Sequence, residues 1–371
     1  MLYDGKGRQL GAVETKSDPE ERFAAYTFDL TRSEQRPGNR VTITAIYNDQ
    51  ILSVSHVLRR GSQWVNIGVA AWEIDRDGKS DLGVFQPDGA RWRMSYSSQN
   101  AEASWQFGQP MDTPVPSDYD RDGIIDVAVF NAGRWSIWES MDNQQLLDID
   151  LGAAGDLPVP GDYYGDGRAD LAVFQPQSGM WLIRRRFGPV PENDQFGQPG
   201  DLPAPTSVAE IDQQQFGQPG DLPVPADYDG DHVFDLAVFR PTTGTWYIRG
   251  SLDNQPLPDI DLGTAGDLPV PADYDGDGKA DLAVFRPSTG QWQIRRSSDA
   301  EIVSEMLGQT EDRPVPADYD GDGKANLAVF RPFDRTWYIS DGNALGGIST
   351  RTYGWSGDIP LPGAYIPVAT P

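Results

Sequence analysis

The residues with the clearest chemical potential are aspartates. In "PADYDGDGKADLAVFRP" (271–287), Asp273, Asp275, Asp277 and Asp281 crowd into nine residues. The first three alternate with Tyr274 and Gly276, so a tight loop can turn their carboxylates inward. Gly278 supplies the positive φ that such a turn needs. Asp281 returns from the start of the next segment. Two carboxylates about 4 Å apart repel by roughly 4 kcal/mol at an effective dielectric of about 20. Four together therefore require protonation or a cation. A backbone carbonyl near Lys279 and a water would complete a shell of about six or seven oxygens, hard and flexible, which suits Ca2+ better than Mg2+ or a transition metal. The competing reading is a solvated acidic turn, since Asp and Gly are turn residues in any case.

The pattern recurs. Loops begin at Glu73, Asp118, Asp162, Asp227, Asp273 and Asp318, at steps of 45, 44, 65, 46 and 45 residues. Asp118, Asp120, Asp122 and Asp126 form a full set, and so do Glu73, Asp75, Asp77 and Asp81 with a longer first ligand. The third loop has Tyr164 in the place of its middle acid and keeps Asp162, Asp166 and Asp170. The fourth keeps Asp227, Asp229, Asp231 and Asp235 but puts His232 in the glycine position, which predicts a distorted site. The sixth offers Asp318, Asp320 and Asp322 with the neutral oxygen of Asn326. Up to six Ca2+ are expected, with the third and fourth sites weaker; six ions would cancel 12 of the 26 excess negative charges. A stripped seventh copy, "GDIPLPGAYIP", carries Ala364 in the aspartate position. The long step reflects a local duplication, "DQFGQPGDLPAP" (194–205) beside "QQFGQPGDLPVP" (214–225).

Each loop must be held by the segments around it. "LAVF" is a continuous apolar run, as in a strand covered on both faces. The prolines of "LPVP" suit an innermost strand whose free edge needs no ladder partner. A turn such as "STG" leads to an aromatic strand such as "WQIRR", and a weaker fourth stretch closes the unit. Four short strands per period of about 45 residues predict an all-β propeller. Trp92, Trp135, Trp181, Trp246, Trp292 and Trp337 hold one position per unit, which a repeated core between blades requires; stacking on sugar rings is the competing reading. "IRRR" (183–186) and "IRRS" (294–297) read as solvated charges that discourage edge pairing.

Over roughly 64–368, "DYDGDGKADLAVFRPSTGQWQI" and its copies resemble the bacterial FG-GAP/VCBS repeat, related to the blades of the integrin α-chain propeller. The resemblance implies a propeller with calcium in the hairpin loops, and little about activity, since such repeats occur in adhesins, lectins and enzyme appendages. The chain divides into 1–62, an N-terminal β segment, and 63–371, the calcium-binding propeller. "RFAAYTFDL" (22–30), "RVTITAIYN" (40–48) and "ILSVSHVL" (51–58) read as strands. The favoured placement has them complete a seventh blade with the C-terminal strand. The alternative is six blades preceded by a separate N-terminal β domain, part of an Ig-like sandwich, whose open edge can accept a strand from a neighbour and build a filament.

Composition narrows the function. A formal charge of −26 argues against nucleic acid, and no stretch reaches the length of a membrane helix. With two histidines, no cysteine and no phosphate loop or zinc-ligand cluster, no enzyme is expected. The opening "MLYDGKGRQL" lacks an apolar signal segment, so either a signal has been removed or the chain is a piece of a longer protein. The expected function is a calcium-stabilised scaffold, extracellular or at the cell surface, for adhesion or assembly in a filament or surface layer. A protein partner or self-association is expected. The alternatives are a carbohydrate-binding lectin and a non-catalytic appendage of a polysaccharide-degrading enzyme.

Overall fold

The structure is a computed structural model that describes residues 2–4, 9–11, 39–47, 50–58, 74, 77–98, 101–140, 145–185, 211–342 and 347–361. The chain forms two units, Met1–Val65 and Asn66–Pro371.

The second unit contains six four-stranded antiparallel sheets. The fifth shows the pattern. A two-residue strand, Leu268–Pro269, pairs with Leu282–Arg286, which pairs with Gln291–Arg295 and then Ile302–Met306. Burial falls along that order, from a second strand that is almost wholly buried to a fourth that is largely exposed. The apolar run of the second strand has the predicted cause. Phe285 meets the Trp292 ring of its own blade at a centroid distance of 5.1 Å, while Leu282 and Val284 pack into the core of the preceding blade with Trp246. Equivalent contacts join Val129 to Trp92, Val173 to Trp135, Val238 to Trp181, Val329 to Trp292 and Val84 to Trp337. The sheets are thus the blades of a closed six-bladed propeller.

All six repeated tryptophans are fully buried, which settles their role as interblade packing. Each indole N–H donates to a carbonyl at the end of its own blade's fourth strand, as Trp292 does to Leu307 at 2.9 Å. Trp181 reaches Phe216, 35 residues on, where the other blades span 15 or 16. The third blade therefore uses the second copy of the duplicated stretch for this contact; the first copy lies outside the described residues. In the fifth blade the turn before the tryptophan uses Gly290 (φ +73°), where a Cβ would meet the Gly308 carbonyl of the outer segment; Ala90 and Arg335 hold the same position before Trp92 and Trp337, also at positive φ.

Blade number is where the structure corrects the sequence reading. The C-terminal strand Ile359–Pro360 pairs with Leu82–Gln86, matching Ile359 to Phe85 and Pro360 to Val84. It is the first strand of the blade that continues through Arg91–Ser95 and Glu102–Gln106. The first repeat lacks an "LPVP" segment of its own, and "IPLP" near the C-terminus supplies it. No seventh blade is needed to give that strand a partner. The N-terminal unit forms its own sheet, in the order Gln9–Gly11, Leu2–Asp4, Asn39–Tyr47, Gln50–Leu58. The last two pair over their full length, from Asn39 opposite Leu58 to Tyr47 opposite Gln50. The strand expected at 22–30 and the stripped loop at Ala364 fall outside the described residues.

Candidate metal centre

In five blades the acidic loop joins the first and second strands; in the blade closed by Ile359–Pro360 it leads into the second. The aspartates shape it before they do anything else. Asp273, buried to 1% exposure, accepts the Gly276 N–H on Oδ1 at 2.5 Å and the Gly278 N–H on Oδ2 at 2.9 Å. Asp275 and Asp277 each accept the N–H two residues on. Asp281 accepts from Tyr274 at 2.8 Å and from Ser297, beyond the third strand, at 2.7 Å. The Tyr274 hydroxyl donates to the Val270 carbonyl, so the tyrosine of "DYD" anchors the loop to its first strand. Gly276 and Gly278 have φ of +79° and +94°.

The predicted acids gather in four of the loops. One carboxylate oxygen from each member lies within 4.8 Å of the others in Asp118/Asp120/Asp122, Asp227/Asp229/Asp235, Asp273/Asp275/Asp281 and Asp318/Asp320/Asp322. Three oxygens at that separation fit around one cation with Ca–O distances of about 2.3–2.6 Å. The donors are all carboxylate, so the chemistry is that of a hard divalent ion. Burial, assisted by neighbouring carboxylates, raises the acids above their ordinary range: Asp118, Asp235 and Asp273 to about 6, Asp126 to about 7. Asp162, Asp227, Asp229, Asp281 and Asp318 move in the same direction for the same first cause.

The remaining acids hold other places. Asp126 spends its oxygens on the Tyr119 and Ser140 N–H groups, Asp231 accepts from the Ser251 hydroxyl, and Asp277 caps the Lys279 N–H. Asn326 gives its oxygen to the Tyr319 N–H at 2.7 Å and turns its amide toward Asp320 at 3.3 Å. In the first loop, Asp81 accepts from Ile74 and Ser97, and Asp77 from Lys79 and the Ser97 hydroxyl. Glu73 and Asp75 lie outside the described residues.

The two irregular loops differ from each other. In the third, Asp162, Asp166 and Asp170 form no cluster among the described residues. Arg185 instead reaches Asp166 at 3.2 Å and lies over the Tyr164 ring. Sequence reading leaves that arginine to solvent; here it is the loop's own counter-charge. The double variant Tyr164→Asp/Arg185→Ala restores the missing acid and removes the resident cation. It is expected to bind one more Ca2+ per chain by calorimetric titration, and an unchanged stoichiometry would show that the loop cannot be completed this way. In the fourth loop, His232 takes φ +74° and puts Nδ1 3.6 Å from Asp227 Oδ2, yet the cluster survives. The strain is in the backbone. His232→Gly is expected to raise stability by about 1 kcal/mol, read as a higher melting temperature; a fall would mean that the imidazole contact outweighs the strain.

A second acidic series escapes the sequence reading. The aspartate of each "GDLPVP"-like turn accepts the N–H three residues before it, as Asp267 does from Thr264 at 2.9 Å. In three blades it then pairs with the arginine ending the second strand: Asp221–Arg240, Asp267–Arg286 and Asp312–Arg331. Asp112 and Asp156 take Asn131 and Gln175 instead. The available signal was the constant offset of 19 residues. These pairs sit at the end of the second strand opposite the acidic loop; Asp358, the sixth of the series, accepts from Trp355 on Oδ2 and leaves its buried Oδ1 unbonded.

No family model matches the chain, and no curated protein matches it. Solved structures do. A lectin from Agrocybe aegerita that recognises non-reducing terminal N-acetylglucosamine is 16% identical, with a TM-score of 0.50 over 74% of this chain and 76% of that one. BBS1N in complex with ARL6DN is 12% identical, with a TM-score of 0.43 over 75% and 79%. A virginiamycin B lyase from Staphylococcus aureus is 11% identical, with a TM-score of 0.41 over 81% and 94%. The likeness to the lectin is one of fold alone. Fold and site together define a six-bladed β-propeller with recurrent acidic loops. No helix among the described residues is long and apolar enough to cross a membrane.

Proposed function

We propose that this chain is a calcium-stabilised propeller of the FG-GAP/VCBS kind, a non-catalytic scaffold for adhesion or extracellular assembly. The observation that carries the reading is the recurrence of four carboxylate clusters, each within 4.8 Å, at one position of the blade. Such clusters raise the energy of the metal-free fold, and their repetition has an economical cause if each holds a cation. Calcium would supply charge neutralisation there. The loop residues hold their carboxylates in place through the backbone N–H bonds already described.

Assembly is supported by the N-terminal sheet. Gln50–Leu58 lies at its edge, nine residues long, with no further strand beside it among the described residues. An open edge of that length is a template for strand addition by another copy. Calorimetry on the chelator-stripped chain, with electron microscopy of the loaded one, tests the proposal. Several Ca2+ per chain at sub-millimolar affinity and end-to-end particles are expected. No binding heat and no retained calcium would remove the metal reading. A strict monomer whose sedimentation is unchanged on deleting 1–60 would remove the assembly reading.

One observation favours a carbohydrate-binding role as a second reading. Trp355 is 54% exposed, with the Arg93 guanidinium 3.7 Å from its ring centroid, an aromatic face beside a hydrogen-bond donor. A glycan array comparing the native chain with Trp355→Ala decides it.

A further inference from the structure

The acidic loops are wired to one another through the main chain. The carbonyl of each loop's first acid accepts an N–H from the next blade, and the donor immediately precedes that blade's last loop ligand. Ala280 donates to Asp227 at 2.7 Å, Ala325 to Asp273 at 2.8 Å, and Ser80 to Asp318 at 2.7 Å. Ala169 donates to Asp118 at 2.8 Å and Phe234 to Asp162 at 2.7 Å. Five consecutive junctions around the ring are therefore bonded alike; the sixth would fall on Glu73, outside the described residues. A second contact follows the same route where the residue after the glycine is lysine. Lys279 Nζ donates to the Asp229 carbonyl at 2.7 Å. The Lys324 stem lies against Gly276, and the Lys79 stem against Gly321.

These bonds join the parts of each loop that a cation would fix. Asp273 holds its own turn through its carboxylate, while its carbonyl holds the 324–325 peptide of the sixth loop. That peptide leads into Asn326, which is also bonded to Ala317 and Tyr319. A ligand that immobilises Asp273 therefore orders the closing end of the sixth loop before that loop is filled. The fourth loop stands in the same relation to the fifth. Ordering paid by one binding event is spared the next, which gives positive coupling without a change of fold.

We propose that neighbouring loops load cooperatively, and that the interblade bonds from Asp227 and Asp273 carry the coupling along the arc of the fourth, fifth and sixth loops. The third loop, already neutralised by Arg185, interrupts it, so the second loop is coupled least to the fifth. This rests on the calcium reading given under the proposed function. The coupling belongs to adjacent pairs, not to the ring's overall stability.

Hydrogen exchange of the full chain, read by mass spectrometry with and without about 2 mM Ca2+, tests it in the native protein, Asp275→Ala and the milder Asp275→Asn. In the native protein, calcium should slow exchange in the loops. In Asp275→Ala, that protection should vanish over 273–281 and fall by about fivefold or more in 227–235 and 318–326, while 118–126 keeps its protection within about twofold. Asp275→Asn should give the same ranking with smaller changes, which guards against a variant that fails to fold. Loss confined to 273–281, or equal loss in every loop, overturns the coupling while leaving the calcium reading intact. Absence of calcium protection in any loop of the native protein overturns both.

Discussion

Chelation at pH 8 is expected to lower the melting temperature by about 10–15 °C. At about 2 mM Ca2+ and a site constant near 0.1 mM, one site contributes roughly 1.8 kcal/mol. The four clusters together then contribute about 7 kcal/mol, a large share of the roughly 5–15 kcal/mol that keeps a domain folded. The pH dependence gives the sharper test, because it reverses sign with calcium. Without metal, burial lifts the cluster members Asp118, Asp235 and Asp273 to about 6. A carboxylate raised on folding makes a stabilising contribution that is fully present below its unfolded pKa. It loses that contribution as pH rises through the folded value. The chelated protein should therefore melt higher at pH 5 than at pH 8. With calcium, protons compete with the cation for the same oxygens, and the loaded protein should melt lower at pH 5 than at pH 8. Parallel curves in the two conditions would falsify the assignment of these carboxylates to a cation.

What could be read from the sequence divides along physical lines. The blade was legible because each of its strands carries a local signature: "LPVP" for a first strand, "LAVF" for one covered on both faces, tryptophan for the core. The loop was legible because Asp273, Asp275 and Gly278 act within a few residues of one another. The blade count was not, because it depends on whether the "IPLP" segment at 359–362 closes on residue 85 or on the N-terminal strands, a choice of long-range pairing that no local pattern encodes. Arg185 was misread for a similar reason. Its partner Asp166 sits 19 residues earlier, and nothing in "IRRR" marks which arginine turns back. The Asp–Arg pairs at the far end of the second strand were missed because an aspartate before a proline reads as a turn residue. Only the recurring spacing of 19 residues to the arginine betrays the second role.

Ending the chain at Gly357 is expected to destabilise the propeller more than any single loop substitution. The cut removes Asp358, Ile359 and Leu361, of which Asp358 and Leu361 are almost fully buried. It also removes the pairing of Ile359 with Phe85 and of Pro360 with Val84, and the bond from the Leu361 N–H to the Gly83 carbonyl. Burial of two aliphatic side chains is worth about 3–6 kcal/mol. The loss also exposes Phe85 and Val84, which pack against the tryptophans of two blades. The ring would then be joined at the first blade by side-chain packing and the Ser80–Asp318 main-chain bond, with the inner edge of Leu82–Gln86 unpaired. A melting temperature lower by about 8–10 °C is the expected result, about 5 kcal/mol for a domain of this size, or failure to fold. Two further variants isolate the cause. Ending at Leu361 keeps the pairing and should melt like the full chain. Deleting 1–60 removes no strand from the six blades and should leave the propeller transition in place, whereas a seven-bladed ring would lose its closure. If the Gly357 truncation melts normally while the 1–60 deletion unfolds, the ring closes through the N-terminal strands and the six-bladed arrangement is wrong.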